Sequence, residues 1–281
     1  MSLRSTLADA VSSLALTPRQ RELVARVRHD DAGHGWDRFG MSLPGVAVGL
    51  SVLRHLYDYY FRVVSHDAHH IPPEGPTIVA ANHSGMLPLD AMMLWVDILL
   101  HTDPPRVARP IADYFVPHLP FINILFARGG MLSGSRGNVH AALEGGELLE
   151  IFPEGVRGIG KPFSKRYQLQ QWNVGHVELA IRHRAAVVPA AIIGAEESWP
   201  QAIKLDVRGM LPIPYLPVPA TPLPLPTRFH VYYGAPLDFA AGFSPEDADD
   251  PSALRVAAER VRAAVHGLIT RGLAERRGVF R

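Results

Sequence analysis

Apolar positions recur along this chain at two different spacings, and the change of spacing marks its organisation. Between residues 44 and 64, Leu50, Leu53, Tyr57, Tyr60 and Val64 follow one another at steps of three and four, the period of one helix face. That spacing predicts a helix over 44–64. Arg54, Asp58 and Arg62 repeat every four residues beside it, so opposite charges meet one turn apart. Val52, Leu56, Tyr59 and Val63 add a further apolar line, more than one core contact requires. Such a helix suits either core packing or the headgroup boundary of a bilayer, where aromatic and basic side chains sit together. Upstream, Leu14 to Arg28 reads as another helix, with Thr17-Pro18 as cap and first-turn proline.

From residue 65 to about 240 short apolar runs alternate with helical patterns. Strands are predicted at Thr77–Ala81, Arg106–Arg109, Leu148–Phe152, Ala186–Ile193 and Phe229–Tyr233, and helices at Leu89–His101, Val139–Glu144 and Gln170–His183. This alternation specifies an α/β fold with a mostly parallel sheet flanked by helices. Met210 to Pro226 breaks the pattern: proline every few residues forbids a helix, and the stretch is uncharged and apolar. It is expected to cover the sheet edge, line an acyl pocket or touch lipid. Residues 244–275 open with Ser244-Pro245 and continue as a helix on Leu254, Ala258, Val261, Val265 and Leu268, with arginines over the rest. The expected organisation is therefore a helical, membrane-associating segment 1–64, an α/β domain 65–240 and a basic C-terminal helix 241–281.

Composition narrows the function classes. The 281 residues carry 28 basic and 27 acidic side chains, so no global field points to nucleic acid. With no cysteine, a disulfide framework, a thiol nucleophile and a thiolate metal site are excluded. Met1 to Arg28 lacks the apolar stretch of a secretory signal, and no window holds the ~18 apolar residues of a spanning helix. A peripheral position on the cytoplasmic face of a membrane is expected.

Candidate chemistry gathers at two predicted strand ends. The segment Ala81-Asn82-His83-Ser84-Gly85-Met86-Leu87-Pro88-Leu89-Asp90 sets a histidine in a turn after a buried strand, with a carboxylate shortly beyond. Phe152-Pro153-Glu154-Gly155 follows another. Histidine accepts a proton near neutral pH, and a carboxylate partner fixes its tautomer and supports the imidazolium. Strand ends of an open α/β sheet are where such groups form active sites.

Asn82-His83 with Asp90, the Gly130–Arg136 segment, Phe152-Pro153-Glu154-Gly155 and Val188-Pro189 resemble, in order and spacing, the four successive blocks of the glycerolipid (1-acylglycerol-3-phosphate or lysophospholipid) acyltransferase superfamily, PlsC-like in type. The likeness covers roughly 65–240, with Asp37-Arg38-Phe39-Gly40 and Tyr233-Gly234-Ala235-Pro236 as similar flanks. It implies that superfamily's α/β fold and transfer of an acyl group from acyl-CoA or acyl-carrier protein to a hydroxyl of a lysophospholipid or glycerolipid, without a cofactor or metal. It implies further that His83 is the general base and that Arg136, Glu154 and Gly155 meet the acceptor's glycerol phosphate. In that reading Asn82 shapes the turn, backbone N–H groups of the Ser84–Leu87 turn or of the following helix start are the candidate oxyanion donors, and Val188 and Pro189 shape the strand end and acyl surface. Arg157, Lys161, Lys165 and Arg166 cluster after Gly155 and are expected to extend a cationic pocket.

One departure stands out. The family's commonest pattern has four residues between histidine and aspartate; here six intervene, so the partner of His83 is either Asp90 or Glu154. A neutral acceptor, mono- or diacylglycerol, stays open, as does a lipid-binding module without catalysis. Other classes fit less well. Gly155 to Lys161 follows a strand and approaches a phosphate-binding loop, but Pro162 stands where a magnesium-binding hydroxyl belongs. Histidine spacings do not make a zinc site, and Gly-x-Ser-x-Gly does not occur.

Overall fold

Most of the predicted apolar runs become strands of one sheet. A computed structural model describes residues 16–84, 88–112, 122–206 and 215–281. Its strands are β1 (Val64–His66), β2 (Thr77–Ala81), β3 (Ala108–Ala112), β4 (Leu132–Ser133), β5 (Leu148–Ile151), β6 (Ala186–Ile193), β7 (Gln201–Asp206), β8 (Tyr215–Pro219) and β9 (His230–Tyr233). Among the described residues seven of them form a sheet in the order β1-β9-β6-β2-β5-β3-β4, while β7 and β8 make a separate hairpin. Strands β6, β2, β5, β3 and β4 run parallel, so their carboxyl ends share one edge. Strand β9 is antiparallel to β6 and carries β1 parallel to itself.

The helices are α1 (Pro18–Ala25), α2 (Leu43–His55), α3 (Leu89–His101), α4 (Ile122–Arg128), α5 (Arg136–Glu144), α6 (Val156–Ile159), α7 (Gly175–His183), α8 (Ala195–Ser198) and α9 (Pro251–Glu275). Side chains alternate across a strand, so a strand covered on both faces is apolar throughout. In β2, Val79 and Ala81 pack with Val46 and Leu50 of α2 and Met93, Leu94 and Ile98 of α3. Ile78 and Ala80 pack on the other face with Val139 of α5, Val177 of α7 and Val261 of α9. Three layers result, with two cores. Caps follow the sequence: Thr17 and Gln20 form a capping box on α1, Ser42 caps α2, and Asp250 caps α9. Ser244 caps only the short 3-10 turn Pro245–Asp249 that precedes α9.

Several boundaries differ from expectation. The helix predicted over 44–64 ends early: α2 stops at His55, a π-helical turn spans Leu56–Tyr60, and Arg62 turns the backbone left-handed at φ 46°. Val64 then pairs with His230 in the sheet. A short apolar run fits both periods, and here Tyr57 is pulled inward because its hydroxyl donates to buried Asp97 at 2.5 Å. The strand expected at Arg106–Arg109 lies two residues later, because Arg106 instead binds the carbonyls of Pro72, Gly75 and Gly146. Helix α7 begins at Gly175 rather than Gln170, whose N–H goes to Glu154. Of the proline-rich run, 210–214 lies outside the described residues and 215–219 is β8.

Candidate active site

Strands β2 and β5 lie side by side, and the chain leaving each carries the candidate chemistry. Beyond β2, buried Asn82 acts as a clamp. Its amide donates to the Ile192 carbonyl at 3.1 Å and accepts from the Ile192 N–H at 2.8 Å, copying a backbone pair one step past the strand. His83 is thereby held at the edge of the sheet. Its Nδ1 lies 2.7 Å from Oδ2 of Asp90, which is fully buried in the first turn of α3. The same oxygen accepts the Ser84 N–H at 2.7 Å, and Oδ1 accepts that of Ala91 at 2.8 Å. A carboxylate in a first helical turn also meets the positive end of the helix dipole.

These contacts define the state of the imidazole. With Nδ1–H donated to a carboxylate, Nε2 is the basic atom, and it has no hydrogen-bond partner among the described residues. The Phe152 ring stacks on His83 at 4.3 Å, and the imidazole side chain remains 11% exposed. Six intervening residues therefore still return Asp90 to His83.

Glu154 serves the backbone instead. Its carboxylate accepts the His83 N–H at 3.2 Å and the Gln170 N–H at 2.7 Å, and Lys161 Nζ lies at 3.5 Å. Lys161 is buried and donates to Glu196 at 2.9 Å, so its charge is matched within the protein. Glu196 also accepts the Tyr167 N–H at 2.9 Å; burial raises its carboxyl above the ordinary range, against the pull of Lys161. Next to it Glu197 accepts from the Tyr167 hydroxyl and from Arg276 at 2.8 Å, tying the loop to the end of α9. Two glycines make the turn possible. Gly155 sits at φ 54°, ψ −145°, which a side chain resists, and a Cβ on Gly158 would lie 2.9 Å from the Cβ atoms of Glu154 and His83.

The remaining candidates are placed less centrally. Val188 and Pro189 are buried in β6, paired with Val79 and Ala80 of β2. Arg136 is exposed at the start of α5, and Arg157 is exposed with its guanidinium on Gln171 at 2.9 Å. Of the Ser84–Leu87 turn, Ser84 gives its N–H to Asp90, and residues 85–87 lie outside the described residues. The sequence reading gave no role to Glu196, Glu197, Tyr167 or Glu150. Glu150 is buried in β5 with neither carboxyl oxygen hydrogen-bonded, and burial followed by nearby Asp90 pushes it well above the ordinary range. Its signal was visible as an acid inside the apolar run Leu148-Leu149-Glu150-Ile151.

Comparison with known proteins supplies the family. The acyltransferase family profile matches residues 62–193. An uncharacterized protein of Mycobacterium tuberculosis is 35% identical over 247 residues, covering 83% of this chain and 68% of that one. The solved 1-acyl-sn-glycerophosphate acyltransferase PlsC from Thermotoga maritima shares the fold, with a TM-score of 0.53 over 82% of this chain and 83% of that one, at 19% identity. The chain belongs to the acyltransferase family and shares the fold of PlsC. It is also similar to a human protein described as a DGAT1/2-independent enzyme synthesizing storage lipids, 30% identical over 122 residues, 43% of this chain and 35% of that one. Membership bears out the family expected from the four sequence blocks and the α/β fold that came with it. The matched domain makes the chain an acyltransferase in type.

Proposed function

We propose that the chain moves a fatty acyl group from acyl-CoA or acyl-carrier protein to a hydroxyl of a glycerolipid acceptor, with His83 as general base. The carrying observation is the buried Asp90–His83 pair, which leaves Nε2 free at the sheet edge. In this reading Nε2 takes the hydroxyl proton while the oxygen attacks the thioester carbonyl. The tetrahedral intermediate collapses, the carbon–sulfur bond breaks, and the departing thiolate takes the proton back from the imidazolium. The products are an ester and a free thiol. Asp90 steadies the transient positive charge, and holding both substrates together supplies much of the acceleration. The reaction takes place with the protein peripheral to the cytoplasmic face of a membrane; no helix among the described residues is long and apolar enough to cross one.

Two acceptor classes compete. Exposed Arg136 and Arg157 favour a phosphorylated acceptor such as a lysophospholipid. Against this, Lys161 is neutralised by Glu154 and Glu196, and the storage-lipid relatives point to mono- or diacylglycerol. Thiol release from acyl-CoA, measured across phosphorylated and neutral acceptors, separates them. His83→Ala is expected to lower turnover by roughly 10²–10⁴-fold with melting temperature and lipid binding retained. Unchanged thioester consumption in that variant rules out the mechanism and favours a lipid-binding module.

A further inference from the structure

We propose that the β7–β8 hairpin docks the protein onto an anionic lipid surface at the mouth of the candidate active site. This rests on the lipid acyl-transfer reading and gives it a point of contact. Among the described residues no second layer covers this two-stranded hairpin, and a hairpin face left to water ordinarily shows polar side chains. Here Ile203 is 58% exposed and Leu205 47%, and residues two apart along a strand share a face. Leu223, on the chain that leaves β8, is also exposed, at 71%. That chain is held at the hairpin's foot by the bonds Ala220 N–H to the Pro200 carbonyl and Trp199 Nε1–H to the Thr221 carbonyl, each 2.8 Å.

The position of this face decides its occupant. Gln201, the first residue of β7, lines one small cleft together with Ser84, the neighbour of His83, and with Phe163 and Trp199. The apolar ribbon thus begins at a cleft that reaches the residue next to His83. Charge on the rim matches anionic headgroups. Phe163 is 39% exposed with the Arg166 guanidinium 4.7 Å above its ring, and Lys165 beside it is exposed without an ion-pair partner among the described residues. The nearest carboxylate to Arg166, on Glu197, lies 4.0 Å away. Apolar side chains bordered by an aromatic ring and two cations fit the bilayer boundary. An acceptor can then reach the cleft by lateral movement, without its acyl chains crossing water.

The test uses the full chain with phosphatidylcholine vesicles, with and without phosphatidylglycerol, scored by co-sedimentation. The wild type should partition onto the anionic vesicles more than the neutral ones, and less as salt rises. Ile203→Asp/Leu205→Asp should lower partitioning by roughly tenfold or more, and Lys165→Glu/Arg166→Glu should abolish the preference for anionic lipid. If the aspartate pair fails to fold, Ile203→Ser/Leu205→Ser serves with the melting temperature as control. Thiol release from a short-chain, water-soluble acyl-CoA and a monomeric acceptor should stay unchanged in the Ile203 and Leu205 variants. A wild type that ignores both vesicles, as expected if the ribbon binds protein, overturns the proposal, as does a serine pair that partitions like wild type. Absence of thiol release by the wild type on soluble substrates sinks the acyl-transfer reading alone, because partitioning is read without turnover.

Discussion

Midway along β5, Glu150 carries a carboxyl group into the apolar layer between the sheet and α3, on the face it shares with Leu148. Neither oxygen is hydrogen-bonded, and Asp90 lies near enough to oppose a second negative charge. The group is therefore neutral in the fold, with a pKa well above the ordinary 4.5. An unfolded chain releases this proton at lower pH than the folded one, so stability falls as pH rises from 4.5 towards the raised value. The slope is about 1.4 kcal/mol per pH unit over that window. Glu150→Gln keeps the shape and removes the titration. Its melting temperature should rise relative to wild type as pH goes from 5 to 8, measured by calorimetry across that range; parallel curves for the two proteins would show that Glu150 does not titrate this way. The same substitution leaves Asp90 as the charge behind His83, so thiol release at neutral pH should persist.

Lys161 acts at the scale of the element that holds it. The turn from Gly155 through α6 and on to Tyr167, whose ring is buried in the core, is pinned by charges: Lys161 between Glu154 and Glu196, and Glu197 to Arg276. Removing one member of a buried pair strands the others, at a cost of about 3–5 kcal/mol. Lys161→Met should lower the melting temperature and reduce turnover alike for phosphorylated and neutral acceptors, since Glu154 would no longer be held against the His83 backbone. A rise in KM confined to phosphorylated acceptors would instead show that Lys161 reaches the acceptor's phosphate. Three arginines at α9 have similar ties: Arg262 pairs with Glu259, Arg271 with Asp67 and Glu275, and Arg276 with Glu197. The pairs with Glu259 and Glu275 stay within the helix, those with Asp67 and Glu197 tie its last turns to neighbouring elements, and Val261 and Val265 hold it in the core.

Across the whole molecule, one buried and one half-buried histidine set a limit on the acid side. His176 on α7 is buried, and burial lowers its pKa to about 4 despite the Asn173 carbonyl on Nδ1. His230 in β9 is lowered to about 4 by burial and by His66, to which it is bonded at 3.1 Å. Each must gain a proton more readily unfolded than folded. Their contribution is complete above the ordinary 6.5 and is lost as pH falls from there towards 4. The melting temperature should therefore drop between pH 6.5 and 4, and His176→Asn should make that drop shallower. An acid limb identical in wild type and variant would show that His176 is not among its causes.

The chain's own pattern specified the layers, because burial on both faces demands unbroken apolar strands such as Thr77–Ala81 and Ala186–Ile193, and both appear with those bounds. It also supplied the residues around the site, since a histidine after one strand and Phe152-Pro153-Glu154-Gly155 after the next are readable without coordinates. Short strands escaped notice: β1 and β4 have three and two residues, too few to show a period, and β7 lies beside a proline-rich run. Which carboxylate faces the imidazole was not legible either. Asp90 is seven residues from His83 and Glu154 is 71, yet both touch it, one at the ring and one at the backbone. Only the fold decides that division, because sheet order brings β2 and β5 together and the start of α3 aims Asp90 at the ring. The partners of Lys161 follow the same logic, for a charge can be counted in a sequence, while its neutralisation depends on which acids the packing brings within reach.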